Sequence, residues 1–372
     1  MVSTHQKPVP VPPPAPQPFE NGIAHPELWL WDSWTTELDG ILYLQCLALS
    51  RRDSAGNPID PSNRNDYPFH IRSFQSSDGG LSWMDKGVFL QPAENQDGAL
   101  ERNVWSGAIV ARRNEPWLAG FTGIRNLDPD RPFLQTICIG QSGDGSAMDR
   151  VPAAALSCPL RDYNQIRSAG YYLAPKDQLG AAEGEEGGPI LAWRDPFILD
   201  AGNSRLEVFW SAKVSPARPA IAHATVRQHG NAFRIETLHP PILLPDDKAF
   251  TQAEVPKIYC DPDGGFCYML ISACDRLNEN QPADEVTKCL RLYKSASIRG
   301  PWIPAFGDTI SEVPGTNNLF GGSILRADFK AGRLTLIAPY SEYASNDLQL
   351  TFPAVRSIEL PRQNVSAGRS SI

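Results

Sequence analysis

The stretch Ser76-Ser77-Asp78-Gly79-Gly80-Leu81-Ser82-Trp83 is the part of the sequence that says most about the fold. It fits the pattern S-x-D-x-G-x-[ST]-W, a turn that closes hairpins in many β-propeller blades. In such a turn the Asp78 carboxylate accepts hydrogen bonds from its own loop, and the Trp83 ring packs between strands. A looser echo occurs at 293–302, where the chain reads Tyr-Lys-Ser-Ala-Ser-Ile-Arg-Gly-Pro-Trp. These two copies favour a propeller over a sandwich or a closed barrel.

Short strand-like segments surround this turn over most of the chain. Each is rich in β-branched or aromatic residues and is bounded by Gly, Pro, Asp or Asn, as strands commonly are. Examples are 40–49, 108–111, 134–140, 205–210, 266–271 and 333–337. Helical periodicity over 12 or more residues is absent, and 29 glycines and 34 prolines indicate many turns. With blades of about 40 to 70 residues, the 372 residues predict an all-β propeller of about five blades.

No change in composition divides the chain, so we expect one catalytic propeller domain over residues 27–362. Residues 1–26 are predicted to form an extended tail, because the first 18 residues contain seven prolines. Residues 363–372 are predicted to form a second tail. The N-terminal stretch has no apolar core typical of a secretory signal. The expected location is therefore the cytoplasm, or the cell exterior by a leaderless route.

Charge and motif content exclude several classes of function. The sum of 34 basic and 42 acidic residues is −8, which argues against nucleic acid as a partner. No apolar run is long enough to cross a membrane as a helix. Glycine-rich phosphate loops and paired zinc-binding histidines are also absent. We therefore predict no nucleic-acid partner, no membrane partner, no cofactor and no required metal.

Seven cysteines without a CxxC pair do not indicate a zinc ribbon or a disulfide framework. We expect most of them to be buried free thiols. Cys260 and Cys267 differ, since they flank the turn at 261–265 and could face each other across a hairpin. The sequence leaves open whether they form a disulfide.

Three carboxylates occur in unusual aromatic or apolar settings. Asp32 lies among tryptophans in Leu28-Trp-Leu-Trp-Asp-Ser-Trp34, and Asp195 follows Trp193 and Arg194. Glu254 lies at the start of an apolar strand, beside Lys257. Considered alone, each has an ordinary structural explanation: Asp32 as a turn residue, Asp195 as part of a surface ion pair with Arg194, and Glu254 as a residue of an edge strand.

Taken together, the same groups suit carbohydrate chemistry. Sugars have apolar faces and hydroxyl edges, so flat aromatic rings beside carboxylates bind them well. The segment Asn103-Val-Trp105-Ser106-Gly-Ala108 supplies a further tryptophan and hydroxyl. Two carboxylates suffice to break a glycosidic bond, and a third can orient the ring.

In this order the motifs resemble glycoside hydrolase family 68, the levansucrases and related β-fructofuranosidases, which share a clan with the family 32 invertases. The resemblance extends over residues 27–360. The matching elements are Trp31-Asp32-Ser33-Trp34, Trp105-Ser106-Gly107, Arg194-Asp195-Pro196, Glu254, Ser272-Ala-Cys-Asp275-Arg276, Gly300-Pro301-Trp302 and Thr351-Phe352-Pro353-Ala354. It implies a five-bladed β-propeller with a central active-site funnel. It also implies a retaining double displacement on the β-fructofuranoside bond of sucrose, with sucrose and fructans as ligands.

The resemblance further implies a role for each matching residue. Asp32 would be the nucleophile that forms a fructosyl-enzyme, Glu254 the general acid/base, and Asp195 the stabiliser of the transition state. The residues expected to bind substrate are Trp31, Trp105, Ser106, Arg194, Arg276 and Tyr340. Of these, the first three would line the fructosyl subsite, Arg276 would lie near the glucosyl group, and Tyr340 would match a late family tyrosine.

The sequence also departs from the family pattern. Thr35-Thr36 stands where proline is usual, Val255 where arginine follows the acid/base, and Gln252 where an acidic residue is common. Because the last two positions help to build the leaving-group and acceptor subsites, the balance between hydrolysis and transfer to sugar stays open. Two alternatives also stay open: a propeller glycosidase on another furanoside, such as an arabinofuranosidase, and a non-catalytic carbohydrate-binding propeller. The oligomeric state is left open as well.

Overall fold

The structure is a computed structural model, and it describes residues 17–93, 98–181, 190–263, 265–278, 281–282, 285–307, 309–341 and 350–361. Nearly all of its regular structure is β, and the strands form five antiparallel blades. The predicted five-bladed propeller is confirmed. Residues 1–16 and 362–372, which include the predicted C-terminal tail, lie outside the described residues.

Each blade is built from consecutive hairpins, as short strands separated by turns dictate. Blade 1 contains β1 (Phe19–Glu20), β3 (Leu28–Leu38), β4 (Ile41–Ser50), β5 (His70–Ser76) and β6 (Ser82–Leu90). Blade 2 contains β7 (Asn103–Val110), β8 (Trp117–Arg125) and β9 (Leu134–Ser142). Blade 3 contains β10 (Arg194–Asp200), β11 (Arg205–Ser215), β12 (Arg218–His229) and β13 (Ala232–Leu238). Blade 4 contains β14 (Gln252–Cys260), β15 (Cys267–Cys274), β16 (Lys288–Ser295) and β17 (Ile303–Pro304), and blade 5 contains β18 (Ser323–Asp328), β19 (Arg333–Ile337) and β21 (Arg356–Glu359).

At the inner edge of each blade is one strand, called its first strand: β3, β7, β10, β14 or β18. These five strands surround the propeller axis. Strand β7 contacts β3 and β10, β10 contacts β14, and β18 contacts β3. Ser33 on β3 also accepts and donates hydrogen bonds across the gap to blade 5, where its hydroxyl donates to the Gly321 carbonyl at 3.0 Å. The ring of first strands therefore brings residues far apart in sequence to one axis.

The turn at 76–83 behaves as its sequence predicts. Oδ1 of Asp78 accepts hydrogen bonds from the backbone N–H groups of Leu81 and Ser82 at 3.1 and 2.9 Å. These bonds, with those from the Ser82 and Ser76 hydroxyls, lower the pKa of Asp78 to about 2. Trp83 is completely buried in the cluster that joins blades 1 and 5. The turn thus fixes both the hairpin and an inter-blade contact.

The folded chain begins before the predicted boundary at residue 27. Strand β1 pairs with β6 at the outer edge of blade 1, and β2 (Gly22–Ile23) pairs with β20 (Phe352–Pro353). Ile23 and Phe352 are buried in the same cluster as Trp83. Apolar Phe19 and Ile23 follow the proline-rich stretch, and burying them links the beginning and end of the propeller.

Among the described residues, the helical elements are α1 (Tyr163–Ser168) and a 3₁₀ segment (Pro61–Asp66). Within the same ranges, no helix has the length and apolar character needed to span a bilayer.

Cys260 and Cys267 pair across the β14–β15 hairpin and form a disulfide. The other five cysteines are outside any disulfide, and four of them are buried, as expected.

Candidate active site

Three first strands carry a bulge at the carboxylate singled out by the sequence. The strand register shifts between Trp31 and Ser33, between Arg194 and Phe197, and between Glu254 and Lys257. A bulge inserts an extra residue and re-aims a side chain, so it can turn a carboxylate out of the alternating strand pattern. In this way blades 1, 3 and 4 direct Asp32, Asp195 and Glu254 to a common region.

The backbone at these bulges is unusual. Asp32, Asp195 and Val255 have φ angles of 41°, 61° and 47°. Left-handed backbone is uncommon for residues other than glycine, and for a β-branched valine it is a genuine outlier. Such conformations persist only where surrounding contacts hold them, and they cluster at functional sites.

Asp32 is held by contacts from blades 2 and 5. Its Oδ2 accepts a 2.5 Å hydrogen bond from the Ser106 hydroxyl on β7. Gly321 of blade 5 approaches so closely that an added Cβ would lie 2.2 Å from Asp32 Oδ1. Burial raises the pKa of Asp32, and the Glu254 charge raises it further, while the Ser106 hydrogen bond and the Lys257 and Lys288 charges lower it.

Asp195 is more deeply buried than Asp32 and is held by hydrogen bonds with residues of three other strands. Its backbone N–H donates to Thr122 Oγ1 at 2.7 Å. Its Oδ2 accepts from the Ser211 hydroxyl at 3.2 Å and from the Val255 N–H at 3.1 Å. Burial raises the pKa of Asp195 to about 7, although the Arg194 charge lowers it. This carboxyl is therefore rigid and costly to ionise.

Arg194 connects the second and third carboxylates. Its NH2 group donates to Glu254 Oε1 at 3.0 Å and to Gln252 Oε1 at 3.1 Å, and its Nε lies 3.6 Å from Asp195 Oδ2. Arg194 and Asp195 are neighbours on one strand, and the bulge between Arg194 and Phe197 explains how their side chains come close to each other. Gln252, the departure from the family pattern, supplies a neutral acceptor to the same guanidinium. Glu254 Oε1 also lies 3.7 Å from the Cys274 thiol.

Lys257 adds a second buried cation to this group. Its side chain lies on β14 and donates a 3.1 Å hydrogen bond from Nζ to the Val255 carbonyl. Burial lowers its pKa to about 8, while the charges of Asp32 and Asp195 oppose that shift. Three carboxylates and two buried cations, Arg194 and Lys257, thus share the site.

Aromatic side chains lie beside Asp32. Trp31 packs edge-on against Phe69, with ring centroids 4.8 Å apart, and Phe69 stacks towards Trp105 at 6.4 Å. Trp105 is part of β7 and lies next to Ser106, which binds Asp32. The predicted tryptophans and the predicted serine are therefore brought together with the first carboxylate.

Arg276 and Tyr340 are placed less directly. The Arg276 carbonyl accepts hydrogen bonds from Thr251 and Gln252, which places its backbone beside the start of β14. Tyr340 is half-buried in blade 5, and its N–H donates to the Thr351 carbonyl at 2.8 Å. Their substrate contacts stay predictions.

Several residues that support the site were not predicted from the sequence. Thr122 and Ser211 bind Asp195 from the second strands of blades 2 and 3. Each is a hydroxyl residue inside a strand of mostly buried residues, which is a signal that the sequence contained. Gly321 precedes β18, and only its contact with Asp32 shows why a side chain would not fit there.

A second group of possible metal ligands occurs in blade 3. The ligand atoms of Glu207, His223 and His239 lie within 4.8 Å of one another. Arg205 donates to Glu207 at 2.9 Å, and an Arg299 nitrogen lies 3.3 Å from His239 Nε2. The positive charges of these two guanidinium groups disfavour binding of a metal cation by the cluster. We therefore assign Glu207, His223 and His239 as a hydrogen-bonded network.

Solved structures of an inulosucrase and of levansucrases share the fold of this chain. An inulosucrase from Halalkalicoccus jeotgali bound to kestose superimposes with a TM-score of 0.63 at 16% identity, covering 93% of this chain and 91% of that one. This chain has the levansucrase fold. Bacillus subtilis levansucrase superimposes with a TM-score of 0.58 at 12% identity, over 91% of this chain and 85% of that chain. A B. megaterium levansucrase variant gives 0.58 at 13% identity, over 90% and 83%.

Sequence comparisons give no match: no family model and no curated protein matches the chain. At such low identity the structural likeness establishes the architecture alone. The chemistry of the site is therefore inferred from its own residues.

Proposed function

We propose that the protein is a retaining β-fructosidase or fructosyltransferase that cleaves sucrose through a covalent fructosyl-enzyme and passes fructose to water or to a sugar acceptor. The observation that carries this proposal is the arrangement of Asp32, Asp195 and Glu254 at facing bulges of three blades, joined through Arg194 and Val255. Support also comes from levansucrase-fold proteins that were solved with sucrose and with kestose.

In the first step, a carboxylate oxygen of Asp32 would attack the anomeric carbon of the fructosyl unit. Glu254 would donate its proton to the glycosidic oxygen, so that the bond to glucose breaks and glucose leaves. In the second step, Glu254 would remove a proton from water or an acceptor hydroxyl, which displaces Asp32. Two displacements at one carbon retain its configuration.

The other residues would serve this sequence through binding and charge. Asp195, rigidly held by Ser211 and Val255, would accept hydrogen bonds from fructosyl hydroxyls as positive charge develops on the ring. Trp31 and Trp105 would provide the apolar wall of the fructosyl subsite. Transfer rather than hydrolysis then depends on how well an acceptor sugar competes with water at the second step.

The test is incubation with sucrose, with glucose and free fructose measured separately. Wild-type protein should release glucose, and Asp32→Asn should lose at least about 10³-fold in kcat because the nucleophile is removed. Asp39→Asn is the matched control, since Asp39 also has positive φ and immediately follows the same strand but is exposed. Glucose in excess of free fructose indicates transfer, and equal amounts indicate hydrolysis.

Two results would contradict the proposal. One is the absence of both glucose and transfer products from wild-type protein. The other is cleavage of aryl arabinofuranosides without any action on sucrose, which would assign the site to a different furanoside.

A further inference from the structure

Lys257 is a charged, almost fully buried residue at the centre of the candidate site. It is 1% exposed and follows Glu254 by three positions on β14. A lysine removed from water is destabilising unless opposite charges and hydrogen-bond acceptors compensate for the lost hydration. The compensation available here comes from the candidate catalytic groups themselves.

The charges around Lys257 come from three blades. Asp32 on β3 and Asp195 on β10 are the acidic groups that act on its ammonium group. The other charged groups that act on these two carboxylates are Arg194, Glu254 and Lys288. Arg194 pairs directly with Glu254 at 3.0 Å, so Lys257 is the buried cation that acts on both aspartates without pairing with Glu254.

The position of the ammonium group is fixed by the bulge. Lys257 Nζ donates to the carbonyl of Val255, and the N–H of Val255 donates to Asp195 Oδ2. Both polar groups of this positive-φ residue are therefore held by charged side chains of the site. The ammonium group is tied to the peptide that follows Glu254 and is unable to swing away without losing this bond.

We propose that Lys257 is a positioning residue whose fixed ammonium group favours the ionised forms of the Asp32 and Asp195 carboxylates. This inference rests on the proposed function, in which Asp32 attacks as a carboxylate. It gives this chain a buried cation two positions after Val255, the residue that stands where the family 68 pattern has arginine. Removing the positive charge should raise the pH at which Asp32 loses its proton.

The principal experiment compares pH profiles of kcat/KM on sucrose for wild type, Lys257→Met and Lys213→Met. Lys257→Met keeps an unbranched side chain but removes the charge, so we expect the acid limb of its profile to move to higher pH by about one unit, a tenfold loss at low pH. Lys213→Met is the matched control, because Lys213 has the same 1% exposure and its Nζ donates to the Pro216 carbonyl. The acid limb of this control should coincide with that of wild type.

Two outcomes would overturn the inference. An unchanged acid limb in Lys257→Met would show that the lysine does not control ionisation, even if kcat falls. An equal displacement in Lys213→Met would show that the loss of any buried lysine, rather than of the charge near the two aspartates, moves the limb.

A measurement without sucrose separates this inference from the proposed function. Between pH 4 and pH 8, the stability of Lys257→Met should fall more steeply with rising pH than that of wild type, because its folded aspartates hold their protons to higher pH. Parallel stability curves would contradict the charge role of Lys257. If wild type fails to cleave sucrose while the curves diverge, the proposed function fails and the charge role stands.

Discussion

Replacing Asp195 by Asn is expected to stabilise the fold while removing activity. Burial raises the pKa of this carboxyl from 3.8 to about 7, so folding disfavours its ionised form. The stabilising contribution of its proton is complete below pH 3.8 and is lost as the pH rises through 7. Compared with low pH, this difference lowers the free energy of unfolding by roughly 2 kcal/mol at pH 5 and about 4 kcal/mol at pH 8, because the unfolded chain ionises Asp195 more readily.

Asparagine removes this cost because it carries no charge. Its side-chain oxygen can still accept the hydrogen bonds that Ser211 and Val255 donate to Asp195 Oδ2. The gain in free energy of unfolding for Asp195→Asn should therefore be about 2 to 3 kcal/mol larger at pH 8 than at pH 5. Urea unfolding followed by tryptophan fluorescence at both pH values measures it. A variant no more stable than wild type at pH 8, or a gain that shrinks as pH rises, would refute this reasoning.

Three further predictions concern the surroundings of the site. Ser106→Ala removes the 2.5 Å hydrogen bond to Asp32, so the acid limb of kcat/KM should move up by about one unit; an unchanged profile would contradict this. Gly321→Ala places a methyl group 2.2 Å from Asp32 Oδ1 and should reduce kcat about 100-fold, whereas Gly315→Ala, with similar φ and open space, should keep full activity. Cys260→Ser opens the disulfide loop and should lower the free energy of unfolding by about 2 kcal/mol, while equal stability of the oxidised protein and the variant would count against it.

Much of the architecture could be predicted because it depends on local patterns. The hydrogen bonds of the Asp78 turn involve residues within four positions of it, and the apolar strands have well-marked ends. The N-terminal boundary could not be predicted in the same way. Phe19 and Ile23 join the propeller through partners at Trp83 and Phe352, which are distant in sequence.

In the candidate site, too, features that depend on local sequence could be predicted, and features that depend on contacts between distant residues could not. Asp32, Asp195 and Glu254 were predictable because carboxylates beside tryptophan or inside apolar strands are unusual. The bulges that aim them depend on contacts between blades, such as that from Val255 to Asp195, and no local sequence signal specifies these. The importance of Lys257 was also hidden, because a lysine in a strand is ordinarily solvated.

The most direct test of the central claim is to trap the covalent intermediate. Glu254→Gln should still permit attack by Asp32 on an activated fructoside with a good leaving group, but it lacks the base that helps water to remove the sugar. After rapid acid quenching and proteolysis, mass spectrometry should find the mass of one fructosyl unit on the peptide that contains Asp32. A label on another carboxylate, or a product of inverted configuration with no labelled peptide, would contradict the account.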